Sequence, residues 1–199
     1  MTTKEMAISE EHRDSDRAVI TNMDPKLVLA RAQIAAQALV EVISKKAKPV
    51  MMNGEQYLEY EDWQTVGEFY RYAVKTGDAV AVEVNGIQGA KAHADLLNMH
   101  TGEIIGGADA YCLRDEDKWN TRAKYEWQDD EATGERKRVK IGEELVPWFQ
   151  LASMAQTRAG AKAYRNRLAW VVVLAGYRPT PAEELTGNER GEETHKHAH

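Results

Sequence analysis

The sequence predicts an α+β fold: a three-stranded antiparallel meander packed by a long C-terminal helix, a β-β-β-α core preceded by a helix, a short hairpin and a second helix. Three observations carry that prediction. Residues 78–112 alternate apolar and polar positions with period two, in three runs joined by turns too short for crossovers. The stretch from about Trp148 to Gly176 follows Pro147, holds alanines at 152, 155, 159, 161 and 163, and ends at Gly176 before Pro179. Between Lys26 and Lys46 the apolar residues Leu27, Ile34, Leu39, Val42 and Ile43 fall at helical spacing.

Each element has its local reason. Asp24 can cap the first helix and Pro25 can open it, while Lys45, Lys46 and Lys48 suit its end and Pro49 stops it. Val50–Tyr60 is expected to form a hairpin, because Asn53-Gly54 is a strong two-residue turn signal. Asp62 is expected to cap the second helix, with Trp63, Val66, Phe69 and Tyr70 on its apolar face and Gly67 as an awkward residue within it. The meander strands are expected at Asp78–Val84, Ala90–Leu97 and Ile104–Cys112, with Val80, Val82 and Val84 joining the alanines on one buried face. Arg114–Gly142 reads as a long charged loop or irregular hairpin. The chain therefore divides into a flexible acidic arm (1–24), one α+β domain (25–177) with a charged loop at about 114–142, and a disordered acidic tail (178–199).

Composition bounds the function. The 199 residues are 43% apolar and 29% charged, which suits one domain or two small ones. No run approaches the ~20 apolar residues of a membrane helix. Cys112 is the only cysteine, which excludes an internal disulfide framework and a cysteine-built zinc site. The N-terminus lacks the apolar core of a secretory signal, so the cytoplasm is the expected address.

The net charge is −6, yet it is unevenly spread. Arg136–Trp170 holds eight bases against Glu143 and Glu144 alone. An acidic total argues against bulk-charge coating of nucleic acid and leaves room for a local basic groove.

Within that region Arg158, Lys162 and Arg165 stand at i, i+4, i+7, so three cations share one helical stripe. An anion occupying the stripe would explain it; so would carboxylates from the sheet or a neighbouring subunit. Arg136, Lys137, Arg138 and Lys140 form a second basic run, which is either solvated surface or a clamp on a phosphate backbone. Lys91 and His93, on the polar face of the sheet, are weaker candidates of the same kind. Trp63 and Trp170 are expected in the core, and Trp119 and Trp127 free to stack on bases.

Other signals carry less. His195, His197 and His199 can chelate metal but lie in the tail, and Asp115-Glu116-Asp117 and Asp129-Asp130-Glu131 are ordinarily solvated. No phosphate-cradling glycine motif precedes a helix, and Ser153 has no readable base. The expectation is a non-catalytic protein with neither metal nor cofactor.

The segment Leu151-Ala-Ser-Met-Ala-Gln-Thr-Arg-Ala-Gly-Ala-Lys-Ala-Tyr-Arg-Asn, its continuation through Tyr177 to Pro-Thr-Pro-Ala-Glu-Glu, and the stretches from Tyr57 and Ala110 resemble phage and prophage single-strand DNA annealing recombinases of the Erf and Red-beta type. The resemblance spans about residues 26–184, with the long helix as its most specific part. It implies a β-β-β-α core, single-stranded DNA held in a basic groove by Arg158, Lys162 and Arg165, and ATP-independent annealing in recombination or repair. It also implies a homo-oligomeric ring or filament in the bacterial cytoplasm, with a single-strand-binding protein or a nuclease as working partners. The loop at Tyr125–Lys140 departs from that pattern. Two other classes stand beside it: a phage adaptor or regulatory protein that binds an acidic partner, and a metal-dependent nuclease built on the loop carboxylates.

Overall fold

Helix α1 (Pro25–Ile43) starts where Asp24 accepts the Lys26 N–H at 2.9 Å, with proline in the first turn as expected. A computed structural model describes the chain over residues 24–129 and 135–185; the rest of the expected arm, the tail beyond 185 and Asp130–Glu131 lie outside the described residues.

After α1 come β1 (Val50–Met52) and β2 (Glu55–Tyr57), paired through Asn53-Gly54, both with positive φ. Helix α2 (Tyr60–Phe69) follows, then β3 (Tyr72–Thr76), β4 (Val80–Val84), β5 (Ile87–Asn98) and β6 (Ile104–Leu113). A short α3 (Asp117–Asn120), the hairpin β7 (Thr121–Asp129) and β8 (Arg136–Leu145), the long α4 (Trp148–Leu174) and a 3-10 turn (Ala182–Glu184) complete it.

The fold is α+β with an antiparallel sheet and a long C-terminal helix across it. The 12-residue β5 is the centre of a four-stranded sheet. β6 pairs along one side of it, while β3 and β4 share the other, β3 against its second half and β4 against its first. Helix α4 lies over the inner face, where Ala90, Ala92, Ala94, Ala108 and Ala110 meet Ala155, Ala159 and Ala163 in the buried core. Small side chains on both sides let helix and sheet approach closely, so dispersion contacts replace bulk. Burying Trp63, Leu96, Leu151 and Leu168 adds ~1.5–3 kcal/mol for each large apolar side chain.

Gly67 is no weakness in α2. A Cβ there would run into the Tyr164 ring, and one at Gly160 of α4 would meet Tyr60 2.7 Å away. Each helix supplies the glycine that receives the other's tyrosine, which fixes how α2 and α4 cross. Gly176, at φ +86°, ends α4 as expected.

The structure corrects several expectations. Asp62 does not cap α2: Glu59 is the N-cap, and Asp62 sits three residues on, accepting the Glu59 N–H at 2.9 Å. Strand β3 has no counterpart among the expected elements. Val80, Val82 and Val84 do not line the core, because the register sets Val80 opposite Lys91 on the outer face and Ala81 opposite buried Ala90. Of the two forms expected for the charged stretch at 114–142, the described part takes the second: after α3 it is a hairpin interrupted by one bulge, not a loop. Nor is the segment 178–185 loose: Ala182 and Leu185 are buried, and the Ala182 N–H donates to Leu58 C=O at 2.8 Å. Among the described residues no helix is long and apolar enough to cross a membrane.

Candidate nucleic-acid interface

The helical stripe is largely committed to the fold. The Arg158 side chain is only 11% exposed and lies bidentate on Glu116, at 2.6 and 2.5 Å. It also donates to Glu183 C=O at 2.8 Å and Tyr111 C=O at 2.9 Å. Burial pulls its pKa down, but the hydrogen bonds and charge of Glu116 more than offset this and leave it raised. Removing either partner would leave an uncompensated buried charge. Arg165 reaches Glu184 at 3.3 Å. Lys162, between them, is half-buried, with no carboxylate in ion-pair range among the described residues. The expected open ridge of three cations is thus corrected. Two of the three are paired with acids, Glu116 just before α3 and Glu184 in the C-terminal turn, which is the carboxylate explanation that the spacing also allows.

Lys91 is likewise engaged. Its Nζ lies 2.8 Å from Asp109 and 5.6 Å from the centre of the Tyr111 ring. The hydrogen bond to Asp109 raises its pKa. His93 sits on the same acid, so this part of the outer face is a closed network of opposite charges.

The second basic run has a different setting. Strands β7 and β8 project from the sheet as a two-stranded ribbon, exposed on both faces over most of its length. Arg114 holds its base, donating to Asn120 C=O at 3.3 Å and Val146 C=O at 2.9 Å. Register decides which side chains share a face: Tyr125 stands opposite Lys140, Trp127 opposite Arg138, and Asp129 opposite Arg136. Cross-strand partners lie on one face of a pleated ribbon, as do residues two apart. One face therefore carries aromatics on β7 (Tyr125, Trp127) and cations on β8 (Arg136, Arg138, Lys140).

These groups remain accessible. Trp127 is 62% exposed. The Arg138 guanidinium lies 4.2 Å from the centre of the Tyr125 ring, a cation–π contact that orients it without neutralising it. Arg136 approaches Asp129 at 3.4 Å and Lys140 approaches Glu143 at 3.5 Å, both as exposed pairs worth little. Lys137 belongs to the opposite face, opposite Gln128. A bulge between Lys124 and Tyr125 twists the ribbon and opens a cleft of about 340 Å³ lined by Arg122, Lys124, Tyr125, Arg138 and Glu144.

Of the tryptophans, Trp127 is free as expected and Trp63 is fully buried. Trp119, expected to be free, packs against the core. Trp170, expected in the core, is 42% exposed and stands edge-on to Tyr70. The signal for the ribbon face was present in the sequence as Tyr-x-Trp followed by Arg-x-Arg-x-Lys, alternating residues at strand period.

A second cleft, about 200 Å³, lies between α3, α4 and the C-terminal turn and is lined by Glu59, Glu116, Asp117, Arg158 and Glu183. Its one arginine is consumed by Glu116, so it does not attract an anion. Among the described residues no three His, Cys, Asp or Glu side chains converge as a metal-binding group. Cys112 is buried, and burial pushes its thiol up to about 12, so it is a packing residue rather than a nucleophile.

Comparison of the chain with protein-family models, curated proteins and solved structures finds no match.

Proposed function

We propose that the protein binds single-stranded DNA on the β7–β8 ribbon and promotes annealing of complementary strands, without nucleotide hydrolysis and without making or breaking a covalent bond. The observation that carries this reading is the ribbon face that sets exposed Trp127 and Tyr125 on one strand beside Arg136, Arg138 and Lys140 on the next. Neighbouring strands lie about 4.8 Å apart. Bases stacked on the aromatic column would thus place their phosphates near the cations. A cationic surface alone would suit an acidic protein equally well; the aromatic column is what favours a base. Stacking without edge-reading donors leaves Watson–Crick edges open, which annealing requires. On this reading the protein works in the cytoplasm of a bacterial host, beside a single-strand-binding protein or a nuclease, in phage recombination or repair.

Fluorescence anisotropy with a labelled single strand across a salt series tests the site, and duplex formation from two complementary labelled strands, without nucleotide or metal, tests the activity. Trp127→Ala is expected to cost about 1–3 kcal/mol of binding. Replacing Arg136, Arg138 and Lys140 together by alanine is expected to flatten the salt slope by about 2, at ~0.7 per phosphate. Lys162→Ala measures whether the remaining helix cation adds a further contact. Unchanged affinity and slope in the ribbon variants reject this interface. Indifference of the wild-type chain to single strands rejects the function and favours an acidic protein partner.

A further inference from the structure

The two edges of the four-stranded sheet are treated differently. Pairing with β5 uses the backbone of Ala108, Ala110 and Cys112, so Gly107, Asp109, Tyr111 and Leu113 turn theirs outward along β6. That edge is partly covered by side chains. Asn166 donates to Gly107 C=O at 3.2 Å, Arg158 donates to Tyr111 C=O at 2.9 Å, and the Leu113 N–H donates to Glu116 at 3.2 Å. Helix α4 thus spends residues at positions 158 and 166, with Lys162 midway, along the length of β6. On the opposite side Gln156 caps Gly77 C=O at 2.9 Å, beyond the end of β3.

Strand β4 has no such cover. Among the described residues no hydrogen bond reaches its outward backbone groups, and four of its five residues are exposed. The tight Asn85-Gly86 turn makes Val84 and Ile87 the first bonded pair, so Val80, Val82 and Val84 bond to β5. Ala81 and Glu83 therefore point their N–H and C=O groups away from the sheet.

We propose that β4 pairs antiparallel with β4 of a second copy, about a two-fold axis through Val82, joining two sheets into one across a closed dimer. The sequence Val80-Ala-Val-Glu-Val84 is nearly palindromic, and that is what selects a second copy as the occupant. With the axis at Val82, Ala81 and the partner subunit's Glu83 form a bonded pair, and so do Glu83 and the partner subunit's Ala81. This supplies about four inter-chain hydrogen bonds from groups that are otherwise free. Val82 meets its own copy and Val80 meets Val84 at the non-bonded positions, where side chains come closest, and each Glu83 faces an alanine rather than a charge. A two-fold contact uses the same edge of both copies, so the β4 pairing closes at two copies. The inference is independent of the nucleic-acid reading.

Sedimentation velocity from low to high micromolar concentration is expected to show a reversible monomer–dimer equilibrium. Ala81→Pro removes one outward N–H per copy and no bond within the chain. It is expected to weaken the dimer tenfold or more with an unchanged circular dichroism spectrum. Val82→Cys provides a second readout: the thiol faces itself across the axis and should form an inter-chain disulfide under mild oxidation, whereas Val80→Cys, opposite Val84, should not. Buried Cys112 leaves the new thiol as the reactive one. A chain that stays monomeric throughout overturns the proposal and makes Glu83 a charge that guards the edge. A dimer indifferent to Ala81→Pro, or Val80→Cys cross-linking as fast as Val82→Cys, overturns it as well.

Discussion

His93 lies between two carboxylates on the outer face of the sheet, with Nδ1 2.7 Å from Asp109 and Nε2 3.1 Å from Asp95. Only the imidazolium can donate at both nitrogens. The bond to Asp109, and then that to Asp95, holds its pKa above the ordinary 6.5, while Lys91 and then His93 hold Asp109 below the usual carboxylate range. The sign follows from linkage: stabilisation from the His93 charge is fully present below about pH 6.5 and is lost as pH rises through the folded value. Proton NMR of the His93 ring should show a midpoint above 6.5, and Asp109→Asn should bring it down; a midpoint at or below 6.5 in the wild type contradicts the paired geometry. Lys91 and His93 were visible in the sequence as cations on the polar side of an alternating strand. Their acid was not, because Asp109 lies sixteen residues beyond His93 and becomes its neighbour only through the β5–β6 register. The same is true of Arg158. Helical spacing placed it on a stripe with Lys162 and Arg165, but Glu116, 42 residues away, neutralises it.

At the scale of elements, legibility follows amphipathicity. α1, β5, β6 and α4 each bury one face, so their periods and caps are readable, and the first hairpin is announced by its Asn53-Gly54 turn. The β7–β8 ribbon buries almost nothing, and Arg-Lys-Arg-Val-Lys has no apolar alternation to mark it as a strand; only the aromatic and cationic alternation across its two halves does. Strand β3 was hidden for another reason. It follows α2 after only Tyr70 and Arg71, and Arg71 turns the chain at φ +56° where no glycine announces a break. A ribbon attached in this way is separable from the fold. The Val146 N–H donates to Asn120 C=O at 2.9 Å, so the chain enters and leaves at adjacent points. Replacing residues 123–143 by Asn-Gly, which keeps the Arg122–Glu144 pair, the next bonded position after Asn120–Val146, is expected to change unfolding free energy by no more than about 1 kcal/mol. Binding of single strands should fall to background in the same protein. Urea unfolding and anisotropy measured on one preparation separate the two outcomes, and a variant that folds and binds like the wild type removes the ribbon from the function.

Across the whole molecule, α4 is the element on which the others converge, and the C-terminal segment is what locks it. Residues 178–185 return across α2 and α4: Arg178 pairs with Glu55, Glu183 accepts the Tyr60 N–H at 2.8 Å at the start of α2, and Glu183 and Glu184 engage Arg158 and Arg165. A carboxylate at the α2 N-terminus is favoured by the exposed N–H groups and the helix dipole, although burial raises the pKa of Glu183. Ala182 and Leu185 cover apolar surface at the same time. This segment reads as the start of a loose tail because it is short, proline-bounded and acidic, and its acids find their partners only in the fold, Glu183 at the start of α2 and Glu184 at Arg165 of α4. Chain truncation after Leu185 is therefore expected to leave the unfolding free energy within about 0.5 kcal/mol of the full chain. Truncation after Tyr177 should lose about 3 kcal/mol or more, combining a buried leucine, a helix cap and the partners of two arginines. Differential scanning fluorimetry and urea titration of the two truncations give the comparison directly. Equal stability of both would mean that Arg158 and Arg165 are held by Glu116 and solvent alone, and would return Arg165 to the set of cations available to DNA.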